Sequence, residues 1–290
     1  MKLTVSGRTA YAYTGGRPFD PALPCVVFVH GALHDHSCWN LLARWCAHHG
    51  HSVLAVDLPA HGFSEGPPLA DVESLADWLL AVLDAAGVAS AAAPAVLVGH
   101  SMGSLIALEA TGRAPERVRR LVMMGTADPM QVSQALLDTA RDDPSRAIDM
   151  VNAWSHATLA AKPSYPGPGM WLHGSNRALM HRMQDGCHTL NLFHHEFSLC
   201  DRYRGGEAAA ARVACPVHFV LGEADQMTRP SGARTLAAAL KAQVHRVPAG
   251  HNLMTEAPDA TLAALREALR DTPGETPGGA APPASVSANA

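Results

Sequence analysis

No two cysteines in this chain are spaced C-x-x-C, and none stands in a zinc-ligand pattern with histidine. The six thiols (Cys25, Cys38, Cys46, Cys187, Cys200, Cys215) are scattered and read as reduced side chains, with Cys25 and Cys215 as small hydrophobes at strand starts. Residues 1–9 hold no apolar stretch behind a basic start, so no secretory signal is expected. A run of about 18 apolar residues is also missing, which argues against a membrane-spanning helix. Basic residues are not in excess: Lys+Arg is 22 against Asp+Glu 26, a net charge of −4. The electrostatic footprint of a nucleic-acid binder is therefore lacking. Neither G-x-x-x-x-G-K-[ST] nor G-x-G-x-x-G occurs, so no nucleotide cofactor is expected. No repeat of solenoid period is found. These absences lead to the expectation of a cytoplasmic protein with no metal, cofactor, nucleic-acid or membrane partner.

What is present suits a large core. The chain has 290 residues, 48% hydrophobic and 17% charged. That length fits roughly two domains of about 150 residues, or one large α/β domain with an insertion. Short apolar runs at 26–29, 52–56, 95–98, 118–124, 217–221 and 244–247 alternate with helical patterns. Apolar runs without alternation, joined by helices, predict a mostly parallel sheet covered by helices on both faces. Ligands of such folds sit beyond the carboxyl ends of the strands. Between 127 and 207 the strands stop and only helical patterns remain, with a Pro/Gly-rich break at 163–169. This stretch reads as a helical cap or lid inserted into a core made of 1–126 and 208–270. Residues 271–290 are almost entirely Pro, Gly, Ala, Ser and Thr and read as a disordered tail.

Gly99-His100-Ser101-Met102-Gly103 matches G-x-S-x-G between a strand and a helix. A sharp strand-to-helix turn there exposes the Ser101 hydroxyl at a helix N-terminus, where free N–H groups and the dipole favour negative charge. Serine is a poor nucleophile until a base takes its proton. The expected chain order is Ser, then acid, then His. His251 follows the last strand and is the candidate base. Asp225 follows the run at 217–221 and is the candidate acid, with Glu223 nearby and Asp128 farther away as rivals. Two N–H donors should stabilise a developing oxyanion. Met102 would supply one and Ala32 the other, with Leu33 as fallback.

The segments His30-Gly31 to Trp39, Asp57 to Ser64, Gly99 to Gly103, Pro216 to Asp225 and Gly250-His251 together resemble the α/β-hydrolase superfamily, in its cap-bearing serine hydrolase branch. The resemblance implies an eight-stranded sheet with a cap after the sixth strand. It also implies a nucleophile at Ser101, an acid at Asp225, a base at His251 and oxyanion donors at Ala32 and Met102. Ala60 and Ser104 stand where many members have glycine.

The expected function is hydrolysis of a small or medium hydrophobic carboxylic ester through an acyl-enzyme, with a small-molecule hydrophobic acyl substrate as the expected partner and the oligomeric state left open. The same triad also suits a C–C bond hydrolase, an amidase or an acyltransferase, and a non-catalytic binding protein is the third reading. Leu33, His100, Trp154 and Trp171 are candidate substrate contacts, and Met170 and Met183 could join them. The 17 histidines invite a metal, but His194-His195-Glu196 lacks the last histidine of H-E-x-x-H, and His34-Asp35-His36 extends into no ligand pattern.

Overall fold

The computed structural model describes residues 1–158 and 171–270. The break at 163–169, Met170 and the 271–290 segment lie outside the described residues. Eight strands form one sheet: β1 (Lys2–Val5), β2 (Arg8–Tyr13), β3 (Cys25–Val29), β4 (Ser52–Val56), β5 (Ala95–His100), β6 (Val118–Met124), β7 (Val217–Gly222) and β8 (Gln243–Val247). Their order is β1-β2-β4-β3-β5-β6-β7-β8. The first two strands run antiparallel to their neighbours, and β4 to β8 with β3 are parallel.

The helices are α1 (Asn40–Ala47), α2 (Val72–Ala86), α3 (Met102–Arg113), α4 (Gln134–Asp142), α5 (Pro144–Trp154), α6 (Leu172–Gly186), α7 (Leu192–Arg202), α8 (Gly206–Ala210), α9 (Arg234–Ala239), α10 (Leu253–Glu256) and α11 (Pro258–Leu269). Every residue of β3, β4 and β5 is buried, because helices cover both faces. Along β3, Val27 and Val29 join Leu79, Leu83 and Leu105 of α2 and α3. Val26 and Phe28 point the other way, onto Leu42 of α1 and Leu265 of α11. Both faces therefore demand apolar side chains, and the sequence shows no alternation. β1 and β2 are different: both are half-exposed, with Lys2, Thr4, Arg8 and Thr9 beside their apolar residues. That is why the apolar runs reveal six strands and not these two.

Helices α4 to α7 lie between β6 and β7 in the chain. They enclose an apolar centre of their own, with Leu136, Ile148, Val151, Met180, Phe193 and Phe197. Leu33, from the loop after β3, is buried in that same centre. The insertion is thus packed directly onto the carboxyl end of the sheet.

Candidate active site

Ser101 sits between β5 and α3 with φ 53° and ψ −123°, a left-handed conformation that L residues rarely take. Close approach of three backbone segments forces it. A Cβ on Gly99 would lie 2.2 Å from the Gly103 carbonyl oxygen, and one on Gly103 would lie 2.3 Å from the Val29 carbonyl oxygen. Only glycine fits on either side of the serine. The turn is fixed further by Ser101 N–H donating to Met124 O at 2.9 Å, and by Ser104, whose N–H and hydroxyl both reach Ser101 O at 2.8 and 2.6 Å.

His251 follows β8 and donates from Nδ1 to Asp225 Oδ2 at 2.9 Å. Asp225 Oδ1 accepts the N–H groups of Met227 and Thr228, both at 2.8 Å, and Oδ2 also accepts the Thr228 hydroxyl at 2.8 Å. Burial alone would raise this carboxyl. The His251 charge and these hydrogen bonds outweigh it and hold Asp225 below the usual carboxylate range. Of the other candidate acids, Glu223 is exposed, and Asp128 packs against Gly206. Because Nδ1–H is turned to Asp225, Nε2 is the nitrogen left to take a proton. Ser101 and His251 line one cavity, although among the described residues no hydrogen bond joins them. Such bonds are commonly long until substrate binds.

His100 is fully enclosed beside them. Its Nε2 donates to the His251 carbonyl at 2.9 Å, and the two rings lie 4.7 Å apart. Burial, and then the neighbouring His251 and His34, push His100 well below the ordinary histidine range, so its ring is neutral.

The loop after β3 is held by histidines. The Gly31 carbonyl meets His30 Nδ1 at 2.8 Å and the His34 N–H at 3.3 Å, and the Ala32 carbonyl meets His34 Nδ1 at 2.7 Å. With the oxygen of the Gly31–Ala32 peptide engaged, its N–H is left facing the other way. Among the described residues, neither the Ala32 nor the Met102 N–H has an acceptor.

A cavity of about 220 Å³ opens over this group. Ala32, His100, Ser101, Thr228 and His251 form its floor, and Met130, Val132, Leu136, Val151, Met180 and Phe197 of the inserted segment form an apolar wall. Trp154 lines it too. Trp171 does not: it is 54% exposed and stacks on His173. Its place at the start of α6, outside the apolar centre, removes it from the substrate contacts. Met183 packs inside the insertion and Leu33 lies beneath the loop; neither lines the cavity. Leu33 also fails as fallback donor, because its N–H is taken by Glu196 at 2.8 Å. His34 joins the cavity wall while His36 turns to Asp57 at 2.8 Å, so this histidine pair diverges. Among the described residues no three His, Cys, Asp or Glu side chains converge as a metal requires. Thr228, which lines the cavity and contacts both the acid and the base, stands in no local pattern that singles it out in the sequence.

A family model described as alpha/beta hydrolase family matches residues 26–265. Among curated proteins, the chain is 26% identical over 275 residues to esterase YbfF of Escherichia coli (strain K12), covering 93% of this chain and all of that protein. It is 37% identical over 106 residues to sn-1-specific diacylglycerol lipase ABHD11 of Mus musculus, covering 36% of this chain. The chain spans 33% of that lipase's length, and 33% to 45% of several other curated relatives that it matches. A solved thermophilic esterase superposes with a TM-score of 0.73 at 21% identity, over 92% of this chain and 95% of that one. At that identity the likeness speaks for the fold.

Proposed function

The chain belongs to the alpha/beta hydrolase family, and from that premise we propose that it is a serine hydrolase cleaving a small or medium hydrophobic carboxylic ester. The observation that carries this reading is the Asp225–His251 hydrogen bond, which opens beside Ser101 under an apolar wall. Ser101 attacks the acyl carbon while His251 Nε2 takes its proton. Asp225 orients the imidazole and stabilises its charged form. The oxyanion is received by the Ala32 and Met102 N–H groups, each worth about 10²–10³ in rate at comparable sites. His251 then protonates the leaving alcohol, and water attacks the acyl-enzyme by the same route in reverse.

Helices α4 to α7, within 127–207, act as a cap that selects the acyl group by apolar contact. No helix among the described residues is long and apolar enough to cross a membrane. A fluorophosphonate probe should label the wild-type chain and not Ser101→Ala, and p-nitrophenyl esters of graded chain length should be turned over. Ser101→Ala is expected to lose several orders of magnitude of kcat. Turnover retained in that variant would remove the mechanism. Labelling without hydrolysis of any ester would move the same triad to C–C, amide or acyl-transfer chemistry.

A further inference from the structure

The loop that carries Ala32 is pinned by a side chain from the insertion. Glu196, on α7, is 3% exposed. One carboxylate oxygen accepts the Leu33 N–H at 2.8 Å, and the other lies 3.0 Å from His61 Nε2. The second ring nitrogen of His61, Nδ1, faces the Pro59 carbonyl oxygen at 3.1 Å. The ring therefore faces an oxygen on each side, and when protonated it forms a buried ion pair with the Glu196 carboxylate. Burial opposes both charges, but their attraction wins: His61 is held above the histidine range and Glu196 below the carboxylate range. Asp57 is the other acidic group facing His61. His30, 4.9 Å away, is neutral. Its Nε2 accepts the Leu58 N–H at 3.0 Å, so its Nδ1 carries the hydrogen given to Gly31 O.

Leu33 has a φ of +55° and is fully buried. A leucine stays in that left-handed conformation only when its surroundings fix it. The Ala32–Leu33 peptide is fixed at both ends, by His34 on the oxygen and Glu196 on the N–H. The Gly31–Ala32 peptide is fixed through its oxygen. We propose that Glu196 is a positioning residue for oxyanion binding: its carboxylate locks Leu33 in the left-handed turn and thereby aims the Ala32 N–H into the cavity. This rests on the reading of Ala32 as an oxyanion donor. Phe197, the next residue of α7, lines the cavity. The helix that feels the acyl group is therefore the helix that holds the donor loop, and turnover depends on how α7 is seated.

The test is steady-state hydrolysis of p-nitrophenyl butyrate by the full chain and by Glu196→Ala, which has no acceptor for Leu33, and Glu196→Asp. Aspartate keeps the charge opposite His61 but stops one methylene short of Leu33. Both variants should lose about 10–100-fold in kcat, as expected for a donor displaced by about 1 Å, with KM changed by less than about threefold. The acid limb of the kcat profile should stay in place, because the group that takes the Ser101 proton is untouched. A kcat within twofold of wild type in either folded variant overturns the proposal, as does a loss seen only in KM. If Glu196→Ala does not fold, Glu196→Asp decides by the same criteria. Amide hydrogen exchange on the wild-type chain is an independent arm: protection of Leu33 N–H comparable to β3 supports the lock, and exchange at free-loop rates overturns it. A wild-type chain that neither turns over the ester nor takes the fluorophosphonate at Ser101 fails the serine-hydrolase reading itself. Normal turnover with indifferent Glu196 variants fails this inference alone.

Discussion

The Thr228 hydroxyl donates to Asp225 Oδ2 at 2.8 Å and lies 3.2 Å from His251 Nδ1. Valine has the same shape without the donor. Thr228→Val should let Asp225 rise toward its ordinary range and weaken its hold on His251. A hydrogen bond to a charged group is worth about 1.5–3 kcal/mol, so kcat should fall about tenfold or more. Steady-state kinetics with a p-nitrophenyl ester check this, and an unchanged kcat would count against it. Thr228 could not be read from the sequence, because nothing local distinguishes a threonine three residues beyond a candidate acid. Ser101, Asp225 and His251 were readable because each follows an apolar run, where a parallel sheet exposes its chemistry. Glu196 meets Leu33 only through folding, across 163 positions of chain. Ala60, singled out as a departure from glycine, does take a φ of +68°. Ser104, the other departure, places its hydroxyl on Ser101 O and, at 2.8 Å, on Thr126 Oγ1 behind the nucleophile.

The unit β5–Ser101–α3 shows how little freedom an element can have. A methyl group at position 103 would meet the Val29 carbonyl oxygen at 2.3 Å, and backbone on both sides prevents relief. Gly103→Ala should therefore cost about 3 kcal/mol or more, in the range of severe overpacking. Thermal melting of the purified chain measures it, and a wild-type melting temperature would show that α3 can move away from β3. Strands β3 to β7 could be foreseen because their burial demands runs of Val, Leu and Phe, whereas β8, at the exposed far edge, was legible only through Val244 and Val247. β1 and β2 could not, since one side of each meets water and their alternation is short. The helical patterns between β6 and β7 were visible through their amphipathic spacing, whereas how those helices pack on the sheet depends on contacts such as Leu33 that spacing does not encode.

Charge balance across the whole fold sets its response to pH. Burial, and in His30 the His61 charge as well, pushes His30 down to about 4, and burial pushes His218 down to about 4. Burial also lowers His34 and His100. These rings are neutral when folded, so below about 6.5 the unfolded chain binds more protons and stability falls with pH. The Asp225 contribution is lost only at lower pH, as pH falls through its depressed folded value. His61 has the opposite sign: its contribution is complete below about 6.5 and fades as pH rises through its raised folded value. The melting temperature should climb from pH 4.5 to about 6.5 and then level or decline. Calorimetry across that range checks it, and a flat profile below 6.5 would show that these rings charge without loss. The apolar wall over Ser101 has a further consequence, for inheritance. It comes from one uninterrupted stretch of chain between β6 and β7, so one exchanged gene segment can deliver a different wall to an unchanged reaction. Descendants can then diverge in what they accept while keeping how they cleave it. On the reading given to Glu196, the condition is that any transplanted segment brings a carboxylate to the same place beneath Leu33.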